Sequence, residues 1–343
     1  MPEIRGWKQC RDALASSELT SDPRLAGFEP SQPNNLLFLD GEPHRQLRSV
    51  VMPYFTSHRL EGLREQIEMM CRAALDEALS EAGADLVADV VEPLVLDAIL
   101  SVMEVPLAHR ERLSALARDM LGLLEPDLPP LARHRTANAA MRATMLFERD
   151  RLRGEASGLH GSLEAAARSG AIPTKLARST PVVVLHGGYE NPLNQLGCLT
   201  AWAVQNPERF KEAAASAPAL LFEEVLRVFS PVRVVARWAA ADDESEEPEH
   251  KRGDLVWISL ESANRDPDQF CDADDVNLSA RQQHLGFGHG THACLGTAMA
   301  RLEGRALIGA LSTVPDNVLR EFSVEWREGV VARAPAQIVR RQP

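Results

Sequence analysis

The stretch His284-Leu-Gly-Phe-Gly-His-Gly-Thr-His-Ala-Cys-Leu-Gly-Thr-Ala-Met-Ala-Arg-Leu-Glu303 constrains this 343-residue chain more than any other. Gly286, Gly288, Gly290 and Gly296 share a short loop with His284, His289, His292 and Cys294, and the loop is expected to open into a helix from about Leu295. Glycines this dense let a backbone lie close against something large and flat. A cysteine at a helix N-terminus has its thiolate favoured by the macrodipole and by free backbone N–H groups, which can also hydrogen-bond a metal-bound sulfur. A lone cysteine is ordinarily a small buried hydrophobe, so the surroundings must carry the argument. Zinc would need a second ligand pair, and a catalytic Cys–His pair would need a third member; neither is evident.

The rest of the chain reads mainly as helix. Leu60, Leu63, Ile67, Met70 and Ala74 step by three and four, with Thr56 and Ser57 available as caps. A helix over about 182–203 is apolar nearly all round at its start, as expected of one buried in a large core. A third, over about 219–229, stops at Ser230-Pro231, because proline disfavours the helical conformation of the residue before it. Val232–Trp238 and Leu255–Ile258 are β-branched and aromatic enough for strands, Arg252-Gly253-Asp254 supplies a turn, and the acidic run Asp242–His250 suits an exposed loop. Without repeats or a linker, the expectation is one mainly α domain with small β-sheets (α+β) over 1–343.

Composition excludes several classes. Hydrophobic residues make up 45% and charged residues 25%, the balance of a globular protein. A net charge of −12 argues against a nucleic-acid partner. Five scattered cysteines are an odd number for a disulfide framework and suit a reducing cytoplasm. The N-terminus MPEIRGWKQC lacks the apolar core of a signal peptide, and no apolar run approaches a membrane span.

Phe287-Gly288-x-Gly-x-His292-x-Cys294-Leu-Gly296 resembles the haem-ligand signature of the cytochrome P450 family at every position. Four other segments fall in the family's order. Glu224-Val-Leu-Arg227, about seventy residues upstream of Cys294, resembles the K helix, whose buried Glu–Arg pair braces the haem loop. Arg237, in Pro231-Val-Arg-Val-Val-Ala-Arg237, stands where the family binds a haem propionate, a task suited to a bidentate guanidinium. Ala263-Asn-Arg-Asp-Pro267 is similar to the turn before the meander, and His44-Arg-Gln-Leu-Arg48 to the C helix, whose histidine and arginine reach the propionates. The resemblance runs from about Trp7 to the C-terminus. It implies haem b (iron protoporphyrin IX) with Cys294 as axial thiolate and O2 as co-substrate. His44, Arg48, Arg237, Phe287, Gly288, His292 and Gly296 would then hold the cofactor.

His186-Gly187-Gly188-Tyr189-Glu190-Asn191-Pro192 is similar to the family's central I helix. There glycines leave room for dioxygen, and an acid followed by an alcohol organises proton delivery. Glu190 keeps the acid, which argues against the family's peroxide-using branch; Asn191 replaces the alcohol and is a poorer proton shuttle. Asn191 can position water, the substrate's own hydroxyl can complete the relay, or the oxidant can serve coupling or desaturation; alternatively Asn191 faces away. Pro192 is expected to kink the helix and widen the groove. His186, Gly187, Val232 and Arg233 are candidate substrate contacts, with a buried structural role for His186 as the alternative. The family's first helix and first strands are not found before Trp7, and Asp275 stands where an arginine often joins the Glu–Arg pair.

The resemblance thus implies a cytoplasmic monomer, a monooxygenase that oxidises a small secondary metabolite with electrons from NAD(P)H through ferredoxin reductase and ferredoxin. A non-catalytic haem-binding protein is the rival from another class. Substrate and regiochemistry are not readable from the residues.

Overall fold

The computed structural model describes residues 2–28, 35–242, 250–279 and 283–341. Of the acidic run 242–250, residues 243–249 lie outside this set. Helices dominate, and two small sheets flank them. One sheet has the order β1 (Glu3–Ile4), β4 (Leu255–Ser259), β3 (Val234–Ala239), β2 (Leu19–Thr20); the other is the hairpin β5 (Phe322–Glu328) and β6 (Arg333–Arg340). β3 and β4 pair antiparallel, with Arg237 opposite Val256, across the expected turn where Gly253 takes a φ of +91°. Val232 lies outside the strand and instead bridges Ala332. β1 pairs parallel with β4, so strand structure does precede Trp7, contrary to expectation. Two residues are too few to show a periodicity, and only β4 gives them their pairing.

The central helix, Thr174–Gln205, starts eight residues earlier than its apolar run suggests and continues through Pro181 and Pro192. It packs against the helices Glu92–Val102, Pro130–Arg153, Gly158–Arg168, Pro218–Phe229 and Thr297–Leu311 and against β6. That encirclement holds the helix despite two missing backbone donors, since tertiary packing outweighs propensity. The helix expected from Leu60 is broken at Gly62 and Leu63 into Ser57–Glu61 and Arg64–Ser80. A smaller core, including Cys10, Leu14, Val256, Ile258 and Leu285, joins the Trp7–Ala15 helix to the four-stranded sheet and the start of the glycine-rich loop.

Candidate functional site

The Pro218–Phe229 helix presents two adjacent acids to two different partners. Glu224 points inward and holds Arg227 through two parallel bonds, Nε–Oε1 at 3.0 Å and Nη2–Oε2 at 2.9 Å. Arg227, 1% exposed, then donates to the carbonyls of Asn264, Ala273 and Asp275 at 3.0, 2.7 and 2.8 Å, while Glu224 accepts from the Asn277 amide at 3.0 Å. With the pair fully hydrogen-bonded, its desolvation is compensated. Asp275 thus enters the network through its backbone, and its carboxylate turns out to Arg209 at 3.0 Å. Burial opposes the ionised Asp275, but Arg209 and the Val276 amide outweigh it and lower the pKa.

Glu223, which the sequence reading passed over, accepts from Arg301 Nε at 2.7 Å and pairs with His284 Nε2 at 2.8 Å. It fastens both ends of the loop to the helix. Leu285 N–H at the start of the loop donates to Asn264 Oδ1 at 2.7 Å, and inside the loop Cys294 N–H donates to the Phe287 carbonyl at 2.8 Å. Gly288 sits at a φ of +67°, and a Cβ on Gly290 would come within 2.8 Å of the Leu14 carbonyl, so both positions require glycine. The following helix begins at Thr297, two residues later than expected.

Cys294 is accessible, yet atoms surround it closely enough that burial raises its pKa. Against burial act the Gly296 amide, the Thr297 hydroxyl and the charge of Arg48. Arg48 Nη2 anchors the loop directly through the Ala293 carbonyl at 2.7 Å. His44 is 1% exposed with neither ring nitrogen hydrogen-bonded among the described residues, and burial first, then the charges of His292 and Arg48, push its pKa down to about 4. Its ring lies 4.3 Å from that of His292. Arg237 donates to the Ala236 carbonyl at 2.9 Å and has no carboxylate partner among the described residues.

His292 Nε2 lies 2.7 Å from Asp40 Oδ1, which leaves Nδ1 as the ring nitrogen that a propionate could meet. Asp40 also accepts from Thr20 Oγ1 and from Ser21 N–H. Burial raises the Asp40 pKa, but the bonds from His292 and Thr20 overcome it and hold the carboxyl well below the usual range. Asp40 is a missed site residue. It precedes the Gly41–Val51 helix where aspartate ordinarily caps, but makes no capping bond, its oxygens being committed to residues far away in sequence.

These groups fit a flat dianionic macrocycle with an axial thiolate: an accessible cysteine, a buried histidine with unpartnered nitrogens and two arginines without carboxylate partners. An unpaired buried polar group costs about 1–3 kcal/mol, so His44 makes sense beside a ligand that completes it.

On the central helix, Val183, Gly187 and Asn191 are accessible at four-residue intervals along a helix otherwise largely buried, which makes one stripe facing open space. The two glycines differ. A Cβ at Gly187 would meet nothing within 4 Å, whereas one at Gly188 would strike Ile99 Cδ1 at 2.3 Å. Gly188 therefore permits helix packing, and Gly187 leaves room. His186 and Glu190 share another stripe, 4% and 8% exposed, with His186 Nε2 3.4 Å from Glu190 Oε2. Glu190 accepts from the Gly122 amide at 3.1 Å. Burial pushes the His186 pKa down to about 4 and raises that of Glu190. His186 is thus buried against Glu190 one turn along the same helix. Arg233 is held by Glu261 at 2.7 Å and by the Gly329 carbonyl at 3.0 Å.

A family model described as Cytochrome P450 matches residues 220–339. The polyketide biosynthesis cytochrome P450 PksS of Bacillus subtilis (strain 168) is 30% identical over 314 residues, covering 88% of this chain and 76% of its own. Cytochrome P450 107B1 of Saccharopolyspora erythraea is 29% identical over 329 residues, covering 92% and 80%. Among solved structures, that of Bacillus subtilis 168 PksS superposes with a TM-score of 0.82 at 27% identity, covering 99% of this chain and 90% of the other.

Proposed function

This chain belongs to the cytochrome P450 family, and on that premise we propose that it is a haem-thiolate monooxygenase that hydroxylates a small secondary metabolite or biosynthetic intermediate. The observation that carries the reading is the accessible Cys294, next in the chain to the Ala293 carbonyl that Arg48 grips, with His44 unsatisfied nearby. Cys294 would hold the iron, and Arg48, His44 and Arg237 the propionates, joined by His292 through Nδ1 while its Nε2 stays with Asp40. When bound, haem b supplies the thiolate-supported cleavage of dioxygen and the oxidant for substrate.

The protein's own residues supply the rest. Phe287 packs between Phe222 and the Arg301 guanidinium, which keeps the loop against its helices. Gly187 leaves space for a small ligand, and Asn191 offers an amide that both donates and accepts hydrogen bonds to hold water. Val232 and Arg233 form the edge beside the 329–332 loop and shape the approach of substrate.

Support for a secondary metabolite comes from relatives named for polyketide biosynthesis and nocardicin C N-oxygenation. Electrons would pass from NAD(P)H through a ferredoxin reductase and ferredoxin to the Cys294 side of a monomeric, cytoplasmic enzyme. No described helix is long and apolar enough to cross a membrane.

The test is the reduced, carbon-monoxide-bound spectrum of the purified protein, with an expected band near ~450 nm, the mark of thiolate ligation in this family. Cys294→Ala should abolish the band, and an unchanged spectrum in that variant would overturn the reading. Product mass then decides the reaction: gain of one oxygen supports hydroxylation, and loss of two hydrogens supports coupling or desaturation.

A further inference from the structure

Glu190 stands where the family resemblance implies a proton-handling acid, but its surroundings suit another task. Its Oε2 accepts the N–H of Gly122, which lies at a φ of +79° in the segment between the helices Leu107–Asp119 and Pro130–Arg153. The preceding residue, Tyr189, donates to Glu92 Oε1 at 2.6 Å, and Glu92 Oε2 accepts from Arg118 Nε at 2.9 Å. Two consecutive residues of the central helix therefore hold the end of the Leu107–Asp119 helix and the turn after it.

The same segment has a third tie. Glu125 accepts from the amides of Val331 and Ala332 at 3.0 and 2.8 Å. A Cβ on Gly329 would fall 2.2 Å from Glu125 Oε1, so that glycine makes room for the carboxylate. The 329–332 loop also bonds to Arg233, through Arg233 N–H to the Val331 carbonyl at 2.8 Å. Segment 120–129 is thus tied to the central helix through Gly122 and to the 329–332 loop through Glu125. A relay acid needs exchangeable donors and acceptors on both sides. Glu190 Oε2 instead accepts from a backbone amide, which passes no proton on, and the other group beside that oxygen, the His186 imidazole at 3.4 Å, is itself buried on the same helix.

We propose that Glu190 is a positioning residue: it latches segment 120–129 to the central helix, one residue from Asn191, so that retention and placement of substrate depend on it while hydrogen bonding on the open stripe of Gly187 and Asn191 falls to Asn191. This rests on the assignment of that stripe as the oxidation site. Tyr189 serves the same segment from the next position, through Glu92 and Arg118.

Glutamine separates the two roles, because Glu190→Gln keeps an oxygen that can accept from Gly122 but cannot carry a proton. Glu190→Ala removes the acceptor. Amide hydrogen exchange of the 120–129 peptide in the full chain should accelerate about tenfold in Glu190→Ala, the scale of one lost hydrogen bond to a charged group, and stay within about twofold of wild type in Glu190→Gln. Release of 4-phenylimidazole from the haem-loaded protein, followed by the shift of its Soret band, should quicken in Glu190→Ala and not in Glu190→Gln. Unchanged exchange in Glu190→Ala would overturn the latch. So would wild-type exchange in Glu190→Gln accompanied by a loss of turnover as deep as that of Glu190→Ala, since that pattern marks a proton carrier. A missing ~450 nm band would strike the haem assignment alone, because the exchange is read on the chain's own backbone.

Discussion

The loop that carries Cys294 and the central helix are built in opposite ways. The loop is short and irregular, and almost every turn of it is fixed by a named bond: Asn264 to Leu285, Glu223 to His284, Arg48 to Ala293, Phe287 to Cys294. The helix is long and regular, and what distinguishes its residues is the direction each one faces. Successive helical residues are turned by about 100°, so Gly187 and Gly188, or Glu190 and Asn191, meet different surroundings although they adjoin in sequence. An irregular loop concentrates its function in residue identity, and a buried helix in phase.

Substitutions on the two sides should therefore fail differently. The largest effect is expected at the brace of the loop. Arg227→Ala leaves Glu224 buried without its cation and three carbonyls without a donor, a loss of about 3–5 kcal/mol. Urea unfolding should show it, together with loss of the ~450 nm band; a variant that keeps both would mean the loop does not depend on its brace.

Glu303, on the Thr297–Leu311 helix, probes the ground between the two regions. It is fully buried with neither carboxyl oxygen hydrogen-bonded, and burial raises its pKa well above the ordinary glutamate value. The folded chain then binds a proton that the unfolded chain releases near pH ~4.5. This contribution is fully present below that pH and is lost as pH rises toward the folded-state value, at about 1.4 kcal/mol per pH unit within the window. Glu303→Gln should flatten that decline, so its urea midpoint gains on wild type between pH 5 and 8 (about the useful range); parallel profiles would show that Glu303 is not held neutral.

A smaller loss is expected for His44→Ala, which removes a buried donor from the proposed propionate site without touching the fold. Haem transfer to an apo-globin scavenger should quicken about tenfold, the worth of one charge-assisted hydrogen bond. Wild-type transfer would leave the unpartnered imidazole unexplained. The mildest change is Asn191→Ala. With the helix phase intact and water able to fill the gap, product formed per NAD(P)H should fall only several-fold. A loss of three orders of magnitude would make the amide indispensable and would bring the two sides level.

Much of the cysteine side was legible in the sequence. The glycine-rich loop and the buried Glu224–Arg227 pair were legible because each is a short pattern whose members are near neighbours in the chain, while Arg48 and Arg237 were placed by their order as proposed cofactor contacts. Asp40 and Glu223 escaped that reading. Asp40 acts by meeting His292, 252 residues away, and Glu223 is hidden beside Glu224, which matches the pattern while its neighbour does comparable work.

On the central helix the composition was readable, but not the assignment of tasks. The sequence by itself determined a buried helix with paired glycines, an acid and an amide, because hydrophobicity and residue type are local properties. Which glycine packs on Ile99, which one faces open space and which polar residue meets Gly122 depended on helix phase and on elements brought from about seventy to ninety residues away. Only the tertiary structure decided those, since a side chain's task is set by what the fold places opposite it.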